Sequence, residues 1–242
     1  MKRLLVVVLL VSVSGFAQSQ PPGQKATTTS QNAAPPFELE TFYMAFLHRV
    51  VPYDPATAQQ IELQQRDYWQ VIADRGDLML GGSVIGAKDE LVGAVIFRAK
   101  DGQDAKKIIE GDPAVRAHAW SAEVHPWMTM KGVLKPQHTL GLESAYYLGL
   151  LVRGPKFSPE DSPERQKIQE GHMANIKRLG DMGKLVAAGP FAEDIGLRGI
   201  FVFRVATMQE ALELTNTDPA VQSGRLAIQL YEWKLPSEAF AK

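Results

Sequence analysis

From position 37 onward the apolar residues fall into short runs of two kinds, separated by Gly, Pro and polar residues. Runs rich in Tyr, Phe, Val and Ile, alternating or continuously apolar, occupy 42–50, 78–84, 92–99 and 121–130, and again 145–153, 185–189, 199–206 and 226–234. Their length and β-branched or aromatic content predict strands. Between the first two strands of the later set, Ser162, Pro163 and Glu164 open a helix that runs to Leu179 and stops at Gly180 and Gly183. Between its last two strands, Thr207-Met208-Gln209-Glu210 is a capping box leading into Ala211, Leu212 and Leu214. The order is β-α-β-β-α-β, twice, which predicts two ferredoxin-like α+β units, each an antiparallel sheet with both helices on one face. A unit of this size cannot leave its other apolar sheet face in water. The second copy is the natural cover, so the two units are expected to pack sheet to sheet as an intramolecular pseudo-dimer.

The repetition extends to residue identity. "GDPAVRAHAWSAEVHPW" at 111–127 answers "TDPAVQSGRLAIQLYEW" at 217–233, with Asp112 and Asp218, and Trp127 and Trp233, each 106 positions apart. "VGAVIFRAK" at 92–100 meets "RGIFVFRVA" at 198–206 at the same offset. "RGDLMLGG" at 75–82 meets "MGKLVAAG" at 182–189 at offset 107, and "FYMAFLHR" at 42–49 meets "YYLGLLVR" at 146–153 at offset 104. Self-similarity along a whole half predicts a tandem repeat, with units at 37–133 and 141–235.

Ahead of the repeat, Lys2 and Arg3 precede an apolar run from Leu4 to Val13 and small residues at Ser14, Gly15, Ala17 and Ser19. This predicts a secretory signal peptide over residues 1–19. The run is too short for the roughly 20 residues that span a bilayer. Residues 20–36 are rich in Pro, Gln, Thr and Ser and predict a disordered tether. The expected location is periplasmic or secreted, with no membrane association after cleavage. Removing Lys2 and Arg3 from 26 basic residues leaves 24 against 27 acidic ones, a formal charge of −3. A mildly acidic chain without a basic stripe is not expected to bind nucleic acid. The absence of cysteine excludes a disulfide, a thiol nucleophile and a thiolate metal site.

The second half resembles the YCII-related domain family. The resemblance is carried by "GHMANIKRLGDMGKLVAAGPF" at 171–191, "RGIFVFRV" at 198–205, "TDPAV" at 217–221, Trp233, and "YYLGLLVRGPKFSP" at 146–159. The first half resembles the same family more weakly. The resemblance implies a dimeric α+β barrel fold, a site centred on His and Asp, and, by analogy with a few relatives, small aromatic substrates.

On the first helix of the second half, Ile168, Leu179 and Ile176 lie about −40°, −20° and +40° around the axis from His172 at 100° per residue. His172 therefore sits in the stripe that faces the sheet, where an imidazole suits general acid/base work near neutral pH or serves as a hydrogen-bonded core residue. In the first half Ile61, Ile72 and Trp69 take these angles and the central residue is Gln65, which cannot exchange protons in this range. Each of Asp112 and Asp218 precedes a Pro and reads as the N-cap of a short helical turn. Asp218 is also a candidate partner for His172, as are Asp181 and Asp194. Arg153 and Arg204, repeated as Arg49 and Arg98, are candidates for binding a carboxylate or phenolate, or are solvated edge charges. His48, His118, His125 and His138 lack metal-ligand spacing and no phosphate-cradling loop is present, so no metal or cofactor is expected. Two functions stay open: acid/base chemistry by His172 on a small aromatic or carboxylate-bearing ligand, and a non-catalytic small-ligand binding or structural module. The pseudo-dimer also leaves room for further self-association.

Overall fold

A computed structural model of the protein describes residues 38–50, 54–86, 90–138, 140 and 143–240. The predicted leader and tether, residues 1–36, lie outside the described residues. The first half comprises β1 (Leu39–Arg49), α1 (Pro55–Asp74), β2 (Leu78–Ile85), β3 (Leu91–Phe97), α2 (Gly102–Glu110), α3 (Pro113–Arg116) and β4 (Trp120–Met130). The second repeats the order with β5 (Glu143–Arg153), α4 (Pro163–Asp181), β6 (Leu185–Pro190), β7 (Leu197–Phe203), α5 (Met208–Thr215), α6 (Pro219–Gln222) and β8 (Leu226–Pro236). Among these described helices none is long and apolar enough to cross a membrane.

Helix starts follow the predicted caps. Ser162 Oγ accepts from Arg165 N at 3.1 Å and Thr207 Oγ1 from Glu210 N at 3.1 Å, while Asp54 caps α1 through Ala56 N and Thr57 N. Strands β3 and β7 stop at Phe97 and Phe203, short of the ends of their apolar runs, because the chain turns there toward the caps Asp101 and Thr207. Strands β1 and β5 begin before their runs, since half-exposed residues such as Glu40 still pair across the sheet, here with Thr129.

The strands form one eight-stranded antiparallel sheet in the order β4-β1-β3-β2-β8-β5-β7-β6, so each half contributes the ferredoxin-like order and the halves join edge to edge. The sheet closes on itself where β4 meets β6, through the bridge between Trp127 and Phe191 and the bond from Ala192 N to Pro126 O at 2.9 Å. Packing sheet to sheet and joining edge to edge are thus one arrangement, a barrel. Its interior takes alternate residues from both halves: Phe42, Met44 and Phe46 of β1, Ala94 and Ile96 of β3, Leu148 and Leu150 of β5, Ile200 and Val202 of β7. The intervening residues face the helices. Ala45, Leu47, Val95 and Phe97 pack with Trp69, Ile72 and Ile109, and Leu151, Phe201 and Phe203 pack with Leu179 and Ala211. Burial on both faces is why these four strands read as continuous apolar runs.

The repeated Trp and Gly residues hold the two seams. Trp233 Nε1 donates to Gly82 O at 3.2 Å where β8 meets β2, and Trp127 Nε1 donates to Gly189 O at 2.9 Å where β4 meets β6. Both indoles are fully buried. A Cβ at Gly82 would lie 1.7 Å from Lys234 O, and one at Gly189 would lie 1.7 Å from Met128 O. The seams are equivalent under the repeat, which gives the barrel approximate two-fold symmetry.

Gly82→Ala and Gly189→Ala should each lower stability in urea denaturation by about 2 to 4 kcal/mol, since backbone must move to admit the methyl. Gly102→Ala, with nothing within 4 Å, should stay within about 0.5 kcal/mol of the parent. Residues 141–240 alone would present β6 and β8 edges that fit each other across a two-fold, so sedimentation should show a homodimer, and a folded monomer would contradict the closure described here.

Candidate functional site

The site is built where α4 crosses α6. Gly171 permits close approach, because a Cβ there would meet Pro219 Cγ at 3.0 Å. The next residue, His172, is 9% exposed and its Nδ1 lies 2.8 Å from Asp218 Oδ2. Asp218 is fully buried and also caps α6, its Oδ1 accepting from Ala220 N at 2.8 Å. Oδ2 takes a second donor, Asn175 Nδ2, at 3.3 Å. An ionised carboxylate only accepts hydrogen bonds, so the proton on this contact belongs to Nδ1, and Nε2 is the nitrogen left for exchange in neutral His172. The imidazole lies flat on Phe201 of β7, ring centroids 6.0 Å apart at 18°. Arg178 Nη2 donates to Asn175 Oδ1 and to Thr217 Oγ1, both at 2.7 Å, and ties the amide in place.

Asp218 is therefore both a helix cap and the partner of the histidine. The other two candidates are engaged elsewhere: Asp181 pairs with Lys177, four residues back on the exposed side of α4, at 2.7 Å, and Asp194 bridges Arg153 and Arg198 beyond β6. Arg204 is turned toward the chain's end, where it donates to Phe240 O at 3.1 Å, rather than toward His172. Arg153 sits over the ring of Phe157 at 4.8 Å. Asn175, Arg178 and Thr217 were not singled out from the sequence, although the spacing of three residues from His172 to Asn175 and again to Arg178 puts all three on adjoining helix positions.

The first half carries the same carboxylate with different partners. Asp112 is fully buried, caps α3 through Ala114 N at 2.8 Å, and accepts from Gln65 Nε2 at 2.8 Å and Trp69 Nε1 at 2.7 Å. Tyr68 stands where the second half has Asn175 and donates to Ile108 O at 2.6 Å. Burial, and after it the negative charge of Asp112, hold its phenol above the usual tyrosine range against the opposing pull of Arg75. Every group around Asp112 is a fixed donor at neutral pH, so this half holds a carboxylate without a titrating partner.

A cleft of about 100 Å³ is lined by Phe157, Arg165, Ile168, Gln169, Arg198, Ala220, Arg225 and Leu226, and neither His172 nor Asp218 is in its walls. Ile168 and Gln169 lie about one helical turn before His172, and Ala220 two residues after Asp218. A larger, shallower depression of about 550 Å³ in the first half, lined in part by Glu110, Arg116, His118 and Trp120, has no buried titrating pair beside it.

This architecture is that of the dimeric α+β barrel proteins. A haem-binding protein from Thermus thermophilus superposes with a TM-score of 0.56 at 11% identity, over 84% of this chain and 94% of that one. A mutant chlorite dismutase from Candidatus Nitrospira defluvii, in complex with cyanide, gives 0.53 at 10% identity, over 85% and 93%. At such identities the likeness is one of fold. Sequence narrows the class: the model of the YCII-related domain matches residues 149–234. The uncharacterized protein YjpA of Bacillus subtilis is 34% identical over 89 residues, 37% of this chain and 94% of YjpA. The chain belongs to the YCII-related family through its second half. The first half lies outside the matched segment, and its kinship rests on the internal repeat.

Gln65→Ala should cost about 1 to 2 kcal/mol in urea denaturation, because it removes one donor from the buried Asp112 and leaves Trp69 and the backbone amide in place. Asp218→Ala removes the cap and the imidazole's partner together, and should cost more than Gln65→Ala in the same measurement.

Proposed function

We propose that the second half is the working half and that His172, oriented by Asp218, carries a proton to or from a small ligand bound beside α4. The 2.8 Å contact between the imidazole and a buried carboxylate is the observation that carries this reading. Such a carboxylate fixes the tautomer and ring orientation, and favours the imidazolium formed when Nε2 takes a proton. No hydroxyl is hydrogen-bonded to His172 among the described residues and the chain has no cysteine, which favours direct proton transfer over activation of a side-chain nucleophile. A second reading, a non-catalytic binding module, draws support from Asp112, which performs the same capping task without a histidine.

Haem, bound by the Thermus fold relative, does not suit this chain's described residues. The layer between α4 and the sheet is filled by Leu151, Leu179, Phe201 and Phe203, which leaves no slot for a macrocycle there. The barrel interior is likewise packed with side chains.

We also propose export, on the strength of Lys2, Arg3 and the Leu4–Val13 run. Mass spectrometry of protein from a secreting bacterial host should find the mature N-terminus at Gln18 or Gln20, and an intact Met1 in the membrane fraction would exclude it.

The site is tested by screening small aromatic acids and phenols for conversion by NMR with the parent and His172→Gln. Turnover by the parent should be abolished by His172→Gln, which should still fold because the amide keeps a hydrogen-bond donor for Asp218. Ligands bound equally by both proteins with no conversion would favour the binding module.

A further inference from the structure

The cleft beside α4 is distinguished by its charge. Arg165, Arg198 and Arg225 line it, and Arg153, Arg198 and Arg225 hold their guanidinium carbons 4.8, 5.8 and 5.6 Å from the centroid of the Phe157 ring. These arginines come from the end of β5, the start of β7, the residue before β8 and the first turn of α4. Like charges so close repel, and the ring's electron-rich face offsets only part of that. The carboxylates paired to the group are Asp194, shared by Arg153 and Arg198, and Asp161, 3.7 Å from Arg165. Arg225 Nη2 donates to Ser158 O at 2.6 Å and Arg165 Nη1 to Pro159 O at 3.2 Å, neutral acceptors that leave net positive charge. Each guanidinium has five N–H donors, and one or two are used.

The remaining walls are Phe157, Ile168, Ala220 and Leu226, with Gln169 the one uncharged polar residue among them, a lining that suits a largely apolar body rather than a hydrated ion. We propose that this cleft seats a small organic carboxylate, its anionic end taken by Arg198 and Arg225 and its apolar body laid against Phe157, Ile168 and Leu226. A planar guanidinium matches a carboxylate with two parallel hydrogen bonds. The internal repeat acts as a control: at the offset of 106 the first half has Val92 in place of Arg198 and Ala119 in place of Arg225, and at the offset of 107 it has Gln65 in place of His172. Cationic cleft and histidine occur together, in one half. The inference names the substrate class for the proton-transfer site and rests on that reading in placing the anion beside His172, whereas its binding test does not.

Calorimetric titration of the full chain with benzoate, its neutral isostere benzamide, and inorganic phosphate tests the assignment. Benzoate should bind, with benzamide and phosphate each weaker by about tenfold or more. Arg198→Gln and Arg225→Gln should each weaken benzoate about tenfold, and Arg116→Gln in the first half should not. Because Arg225 also anchors Ser158, Arg225→Lys serves as a second variant that keeps the charge and should retain more affinity than Arg225→Gln. Absence of benzoate binding, equal binding of benzamide, preference for phosphate, or indifference to both Arg198→Gln and Arg225→Gln would overturn the proposal. His172→Gln in the turnover screen separates this inference from the proton-transfer reading. Turnover unaffected by that substitution would remove the proton-transfer reading while leaving the benzoate result to decide this one.

Discussion

An indole N–H donated to a glycine carbonyl at each of two seams is the contact on which the rest of the structure depends. Each half alone is a four-stranded sheet with helices on one side and a bare apolar face on the other. The face is covered only if edges meet, and edges meet only where backbone can come closer than any side chain permits. Gly82 and Gly189 supply that closeness, and Trp233 and Trp127 supply both the bond and the volume behind it. The Asp-Pro turn and the Trp recur together because one positions the strand and the other locks it.

The buried aspartate shows how one residue type serves two ends. As a cap, Asp112 or Asp218 satisfies the backbone N–H groups at the start of a four-residue helix, and this demand is the same in both halves. Once buried, the carboxylate's other oxygen must also find donors, or its desolvation would outweigh the cap. In the first half an amide and an indole meet that need, and in the second an imidazole and an amide do. The same structural requirement thus keeps a buried anion in both halves, with Gln65 beside it in the first and His172 in the second.

The fold was legible because each of its signals is local or periodic. Strands buried on two faces read as unbroken apolar runs, helix starts are announced by Ser162 and Thr207, and the constant offset between halves ties distant segments together. His172 was legible for the same reason, through its angle on a helix. Its partner was not, because Asp181, Asp194 and Asp218 are all near in sequence pattern, and only the approach of α6 over Gly171 chooses among them. The arginines around Phe157 come from three separate segments that only the barrel gathers, and Arg204, alike in sequence to a ligand-binding arginine, is drawn instead to Phe240.

Joining the two units in one chain changes what mutation can do. In a dimer of identical subunits every substitution appears twice, so a change that improves one site while weakening a seam is felt at both seams. Here each copy drifts independently: one can lose its imidazole and keep its cap, while the other gathers charge around a ring. The covalent link also makes pairing independent of protein concentration, because the second half is always present at the effective concentration set by the residues between β4 and β5. The barrel is therefore as intact in a dilute medium as in a crowded one, a property that no homodimer of single units shares.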